Sequence, residues 1–156
     1  MAATASGWAS TRVKIRRARR GDAKRIAQLS GELGYPATAA QVATRLRQLK
    51  PTSKHAVFVA ESPGAATGLI GWVHVSVSHL LESDMRAEVN GLIVAEGQRS
   101  AGAGAKLLEA AEEWARKRNC LGMNVRSNVI RERAHGFYER NGYEHYKTQK
   151  AFRKAL

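Results

Sequence analysis

The segment Glu88–Leu108 constrains the fold of this chain more than any other part of the sequence. It begins with an apolar block, Glu88–Val94, which contains Val, Leu, Ile and Val and is typical of a buried strand. After a glycine-rich turn, apolar residues recur at the spacing of an amphipathic helix: Leu107, Leu108, Ala111, Trp114 and Ala115. The segment therefore predicts a strand, a loop and a helix in succession.

The turn between this strand and this helix has the composition of an anion-binding loop. Its residues, Arg99–Gly104, include no acid. The positive end of the helix dipole and the unpaired N–H groups of the first helical turn are therefore available to a negatively charged ligand.

Two common phosphate-binding motifs do not fit this turn. A Walker loop needs Lys followed by Ser or Thr after its last glycine, and Ala103 and Gly104 occupy those positions. A dinucleotide fingerprint that starts at Gly102 needs a small residue where Leu107 stands and an acid about 20 residues further on, and it has neither. The pattern that remains is R-x-x-G-x-G directly after a strand.

That pattern, carried by Arg99, Gly102 and Gly104, resembles the acetyl-CoA signature of the GCN5-related N-acetyltransferases. A second set of residues is similar to the pattern that follows later in sequences of this family: Asn128, Ala134, Phe137-Tyr138 and Gly142-Tyr143. The resemblance implies that acetyl-CoA is the cosubstrate and that backbone N–H groups of the loop hold its pyrophosphate. It assigns cofactor contacts to Leu92, Ile93, Val94, Arg99, Ser100, Ala101, Gly102, Ala103, Gly104 and Asn128.

The resemblance also assigns two catalytic side chains. An alkylamine with a pKa near ~10.4 is mostly protonated at neutral pH, so transfer needs a base for the amine and a proton for the leaving thiolate. Glu88 stands at the offset from Gly102 at which the family's histone acetyltransferases place their catalytic glutamate, and we interpret it as the general base. Tyr138 occupies the position that often protonates the thiolate in this family. A solvated carboxylate at the end of a strand and a packing tyrosine are the alternative interpretations.

The length of 156 residues predicts one domain, with residues 1–11 as a loose terminus. The fold class that we predict is α/β, with a mixed, largely antiparallel central sheet flanked by about four helices and one parallel βαβ unit, as in the family that it resembles. The predicted strands are 13–18, 55–61, 69–77, 88–94, 123–127 and 143–152. Helices are predicted from an Asp22 cap to Gly34, around 42–49, from about 106 and over 130–140, with a polar connection at 80–86.

The acceptor is expected to be a primary amine, either a small aminoglycoside- or polyamine-like compound or a lysine or N-terminus of a protein. In this family the first two helices usually build part of the acceptor pocket, so Glu32 and Tyr35 are candidates. The net charge of +13 should repel a polycation unless acids line the pocket. Glu82 and Asp84 could supply such a patch together with Glu32 and Glu88.

The same positive charge raises a second hypothesis, a non-catalytic CoA-binding or nucleic-acid-associated module. Basic residues are spread along the chain, with one cluster within residues 12–25, and aromatic residues make up only 6%. A nucleic-acid module would be expected to show a recognisable motif or a stacking platform, so we do not expect nucleic acid as a partner. Glu88 and Tyr138 together favour the enzyme.

Other features favour a cytoplasmic enzyme without a metal. No apolar run approaches the roughly 18 residues of a membrane span. Cys120 follows a basic helix end, where the dipole disfavours a thiolate, so we do not expect an acyl-enzyme. The five histidines lack metal-ligand spacing, so no metal is expected. Dimers are frequent among proteins that this chain resembles, and a homodimer is compatible with the sequence.

Overall fold

The computed structural model describes residues 13–49, 54–63, 68–99 and 101–156. The predicted loose terminus and Ser100 of the glycine-rich loop lie outside these ranges. Two compact units divide the chain after Val125, residues 1–125 and residues 126–156. The strands are β1 Lys14–Arg17, β2 His55–Glu61, β3 Leu69–Leu80, β4 Ser83–Val94 and β5 Met123–Val125. The helices are α1 Ala23–Glu32, α2 Ala39–Leu49, α3 Ala103–Arg116 and α4 Glu132–Arg140.

The five strands form one sheet in the order β1-β2-β3-β4-β5. The first three pairings are antiparallel, whereas β4 and β5 are parallel and are connected through α3. A parallel pair needs such a crossover, since a tight turn cannot return the chain in the same direction. The predicted fold class, a largely antiparallel sheet with one parallel βαβ unit, is confirmed.

Helices cover the two faces of the sheet in the first unit. On one face α1 and α2 pack on Val59, Trp72 and Ile93, which are cross-strand neighbours. On the other face lies α3, since a Cβ added at Gly71 would come within 3.2 Å of Leu107 Cδ1. We refer to these as the α1/α2 face and the α3 face. Residues of both core layers are almost fully buried: Leu29, Val59, Ile70, Val73, Val75, Leu107 and Leu108.

The ends of α1 and α2 follow from local sequence. The N–H groups of Gly34 and Tyr35 donate to the carbonyls of Gly31 and Ser30, and Gly34 has a φ of +86°, which is the Schellman arrangement that favours glycine. Thr38 and Gln41 form a reciprocal capping box before α2, with distances of 3.1 and 2.9 Å. Asp22 is the N-cap residue of α1, as predicted, but its carboxylate makes no side-chain cap hydrogen bond and instead accepts from the Arg16 guanidinium at 2.8 and 2.9 Å.

The predicted polar connection over 80–86 is also wrong. Strand β3 continues to Leu80 and β4 already begins at Ser83, with Leu80 opposite Ser83, so only Leu81 and Glu82 separate the strands. Glu88 therefore lies in the middle of β4 and does not begin it. The polar residues 83–86 are part of a strand because the ladder to β3 supplies partners for their backbone groups.

The second unit contains α4 and a C-terminal segment. Residues 143–156 form neither helix nor strand, and nearly all of them are exposed, so the predicted strand 143–152 is wrong. Thr148 is the only β-branched residue in that stretch, and its apolar residues do not alternate with a period of two. The segment therefore lacks an apolar face that could be buried against a sheet.

Candidate functional site

The glycine-rich loop ends at the N-terminus of α3. Gly102 is the N-cap residue, has a φ of +75° in the left-handed region and makes no side-chain cap hydrogen bond. Nothing lies within 4 Å of the position that a Cβ would take. The first turn of α3 holds no acid, and Ala101 and Gly102 are exposed. This helix end can therefore receive an anion such as a phosphate group on its unpaired N–H groups.

The end of β4 leads into this loop and is paired on one side. Leu92, Ile93 and Val94 lie opposite Val73, Trp72 and Gly71 of β3. On the other side, the pairing with β5 covers only residues 87–89, and in the described part of the chain no strand pairs with β4 beyond Val89 on that side. Arg99 Nε donates to the carbonyl of Val94 at 3.3 Å. The last residues of β4 therefore offer backbone groups to an extended ligand that lies beside them like an added strand.

A β-bulge separates this open end of β4 from Glu88. Val75 lies opposite Val89 and His74 lies opposite Gly91, so Asn90 is the extra residue of β4. Asn90 Nδ2 donates to the hydroxyl of Ser76 at 2.8 Å, and Ser76 is the cross-strand neighbour of Glu88. Glu88 is half-buried and shares the α1/α2 face with Ser76.

Two histidines on the same face were not predicted from the sequence. His55 is the other cross-strand neighbour of Ser76, and its Nδ1 lies 3.0 Å from Nε2 of His74. Burial first, and then the positive charge of His55, lower the pKa of His74 from 6.5 to about 4. His74 is therefore neutral at physiological pH, and one ring of the pair donates to the other. The pair could be found only from the strand register, because its members lie on different strands and are diagonal neighbours.

Trp72 forms a wall of the same face. A Cβ added at Gly91 would lie 2.8 and 2.9 Å from two carbons of the Trp72 ring, so only glycine leaves room for this indole. The indole Nε1 is buried and has no hydrogen-bond partner among the described residues. This donor without a partner therefore belongs to a residue on the same face of the sheet as His74 and Glu88.

The four acids that we predicted for the acceptor pocket are not in one place. Glu82 lies in the β3–β4 turn, and Asp84 precedes Glu88 by about 13 Å along the strand, at roughly 3.3 Å per residue. Glu32 is the exposed last residue of α1, and Tyr35 is 64% exposed in the connection to α2. Glu88 is the one acid among the four that lies beside the bulge and opposite Ser76, the cross-strand neighbour of His55.

The second unit holds the other two predicted site residues. Asn128 is exposed, and its Oδ1 accepts from the N–H of Ile130 at 3.2 Å just before α4. Tyr138 lies on α4 and packs edge-to-face against Phe137 and Tyr143, with ring centroids 5.2 and 5.8 Å away. Burial raises the pKa of Tyr138 above 10, although the charge of Arg131 opposes this. The phenol therefore keeps its proton at neutral pH and can act as a donor.

The described ranges show neither an activated thiol nor a cluster of metal ligands. Burial raises the pKa of Cys120 above 9.0, although the charge of Arg118 opposes this, and a thiol of this kind is a poor nucleophile at neutral pH. No group of three His, Cys, Asp or Glu residues in these ranges is placed to hold a metal ion. No helix within them is both long enough and apolar enough to cross a membrane.

Comparison with known proteins gives a family match and a set of similar folds. The family model described as the acetyltransferase (GNAT) family matches residues 24–143. A search of curated proteins finds no significant match. Among solved structures, an aminoglycoside N-acetyltransferase, AAC(6')-Iy, in complex with CoA is similar with a TM-score of 0.80 and 17% identity, over 93% of this chain and 96% of that one.

Two further structures have the same fold. A GNAT family acetyltransferase from Staphylococcus aureus has a TM-score of 0.70 and 20% identity, over 92% of this chain and 98% of that one. The glucosamine-6-phosphate N-acetyltransferase from Arabidopsis thaliana has a TM-score of 0.74 and 18% identity, over 91% and 98% of the two chains. At these identities the likeness establishes the fold.

Proposed function

Because this chain belongs to the GNAT acetyltransferase family, we propose that it transfers an acetyl group from acetyl-CoA directly to a primary amine within a ternary complex. The observation that carries the proposal is the combination of the Gly102 helix N-terminus with the one-sided pairing of β4 beyond Val89. The first suits a pyrophosphate, and the second suits an extended arm with amide groups. Both features belong to the first unit and adjoin each other in sequence.

The loop before α3 and the end of β4 would hold the cosubstrate mainly through backbone groups. Backbone N–H groups at the start of α3, from Ala103 onward, would hold the pyrophosphate, and the backbone of Leu92–Val94 would hold the pantetheine arm. Arg99 is exposed beside the loop and adds positive charge. In the sequence, Ser100 and Ala101 belong to the same loop, and Asn128 stays a candidate for a cofactor contact. Bound acetyl-CoA supplies the acetyl group on a thioester.

Glu88 is proposed as the general base. Its carboxylate lies on the α1/α2 face, half-buried, beside Ser76 and the bulge residue Asn90. It would take a proton from the ammonium form of the acceptor, directly or through water, so that the nitrogen lone pair becomes available. Tyr138 is proposed as the acid that gives its phenolic proton to the departing sulfur, since burial keeps that phenol protonated.

We propose a small polar amine as the acceptor. Polar groups crowd the face around Glu88, and two proteins of the same fold are named for aminoglycoside and glucosamine 6-phosphate acetylation. The residues that would surround the acceptor are His55, Trp72, His74, Ser76, Asn90 and Glu88. A lysine or N-terminus of a protein is the competing acceptor, and Glu32, Tyr35, Glu82 and Asp84 stay candidates for contacts at the periphery.

The test is thiol release from acetyl-CoA with purified protein and a panel of amino sugars, aminoglycosides, polyamines, amino acids and short peptides with a lysine or a free N-terminus. We expect one class of small amine to raise thiol release well above the control without acceptor, with an acetylated product seen by mass spectrometry. Activity with peptides alone would replace the small-amine proposal. If calorimetry detects no binding of acetyl-CoA, the proposed function is refuted as a whole.

A further inference from the structure

A cleft lies on the α3 face of the sheet, away from the site described above. It has a volume of about 400 Å³ and lies between the C-terminal half of α3 and the edge formed by β1 and β2. Its lining includes Arg17, Phe58, Glu113, Trp114, Lys117 and Arg118. Arg116, the last residue of α3, is about 21 Å along the helix axis from the Gly102 end, at 1.5 Å per residue, and Arg118 follows it. The cleft is therefore a separate location from the proposed cofactor loop.

Two arginines of this cleft stack on aromatic rings. The guanidinium carbon of Arg17 lies 5.0 Å from the centroid of the Phe58 ring, and that of Arg118 lies 4.1 Å from the centroid of the Trp114 ring. Stacking of this kind fixes the plane of a guanidinium group, and it leaves the edge N–H groups of Arg17 for other partners. Arg118 also donates to the carbonyl of Trp114 at 3.3 Å, which anchors it at the end of α3.

The charges of the cleft are incompletely balanced. Burial, and then the positive charge of Arg118, lower the pKa of Arg17, so the two guanidinium groups are near enough to repel each other. Among the residues that the structure describes, no carboxylate forms an ion pair with Arg17. The neighbouring Arg16 is different, because it binds Asp22 and Glu61 at 2.8 and 2.6 Å.

The third donor of the cleft is the indole of Trp114. This residue is 4% exposed, and its Nε1 is buried with no hydrogen-bond partner in the described part of the chain. A buried donor without a partner is unfavourable, and an acceptor bound to it would remove that cost. The one carboxylate of the lining, Glu113, is held by Lys117 Nζ at 2.8 Å. Guanidinium and indole groups only donate, so the complementary ligand must accept.

We propose that this cleft binds a small organic oxyanion, a phosphate or carboxylate joined to a flat apolar body, with the oxyanion at Arg17 and Trp114 and the body against Phe58. A negative charge would relieve the repulsion between Arg17 and Arg118, and it would give Trp114 Nε1 an acceptor. The volume suits a molecule of this size rather than a polymer. This proposal does not depend on acetyl transfer.

The test is an NMR titration of the whole protein with phenyl phosphate, read at the three tryptophan indole N–H resonances. The Trp114 signal is the one that is lost in Trp114→Phe. We expect that signal to move downfield and saturate, and the dissociation constant to rise at least fivefold in Arg17→Gln. Lys24→Gln removes one exposed positive charge elsewhere and should bind as the wild type does. Benzyl alcohol, an uncharged analogue, should cause no saturable shift.

Three results would overturn the proposal. The first is a titration that does not saturate at Trp114. The second is equal binding by the wild type and by Arg17→Gln, with circular dichroism confirming that the variant is folded. The third is loss of binding in Arg99→Gln but not in Arg17→Gln, which would locate phenyl phosphate at the glycine-rich loop instead.

Discussion

His74 makes the stability of this protein depend on pH in a direction that the structure fixes. Burial and the nearby charge of His55 lower the pKa of His74 from 6.5 to about 4 in the folded state. Between these pH values the unfolded chain binds more protons than the folded one, so the free energy of unfolding falls as the pH is lowered. By linkage, the full shift in the pKa of His74 lowers the free energy of unfolding by ~2 kcal/mol between neutral pH and pH 5. Solvent screening of this partly exposed side chain reduces our expectation to ~1 kcal/mol.

The assay is urea unfolding followed by circular dichroism at pH 7.5 and pH 5.0. The wild type should lose ~1 kcal/mol more than His74→Gln between the two pH values. The hydrogen bond to His55, which His74→Gln also loses, lowers the stability of that variant at pH 7.5 and so does not by itself produce the pH difference. His79→Gln is the control, because His79 is exposed at the end of the same strand, and it should lose as much as the wild type. Equal losses in the wild type and in His74→Gln would refute the reasoning.

Three further predictions concern acetyl transfer. Tyr138→Phe should lower kcat about 100-fold with little change in acetyl-CoA affinity, because the variant has no phenolic proton to give to the thiolate. The control Tyr146→Phe, at an exposed tyrosine of the same unit, should leave kcat unchanged. A wild-type kcat in Tyr138→Phe would show that Tyr138 is not the acid. Glu88→Gln should depress kcat/KM most at neutral pH and partly regain it near pH 10, where free amine is abundant, and a loss that is uniform across the pH profile would indicate a structural role. Gly102→Ala should lower the free energy of unfolding by ~1 kcal/mol, because a residue in the left-handed region then carries a Cβ, and it should weaken acetyl-CoA binding severalfold by calorimetry. The control Gly97→Ala should change neither quantity. Unchanged binding in Gly102→Ala would argue against the helix N-terminus as the pyrophosphate site.

Much of the fold could be predicted because its elements have strong local signals. The helical spacing from Leu107 to Ala115 and the apolar run of His55–Glu61 predicted α3 and β2 closely. Gly34 was predicted to end the first helix, and it has a φ of +86° just after α1. In each case the information lies in neighbouring residues, either in their periodicity or in a single residue with a special backbone preference.

The parts that were predicted wrongly depend on pairing between distant segments. Residues 83–87 are mostly polar, and they are in β4 because β3 lies alongside and supplies hydrogen-bond partners. The two histidines are separated by 19 positions and meet only because β2 and β3 are in one particular register. Asp22 occupies the N-cap position that the sequence predicts, but its carboxylate pairs with Arg16 and accepts from the N–H of Arg19, so it makes no side-chain hydrogen bond to α1.

The bulge at Asn90 determines which face of the sheet carries Glu88. In a regular strand, side chains alternate, so Glu88 would share a face with Leu92 and lie on the same side as α3. Because Asn90 is an extra residue, Glu88 instead shares the α1/α2 face with Ile93, although the two are five positions apart. The pairing with β5 ends at Val89, immediately before the bulge. One inserted residue therefore accompanies both features that the proposed reaction needs: a carboxylate on the face of the histidine pair, and a following segment of β4 that is paired on one side only.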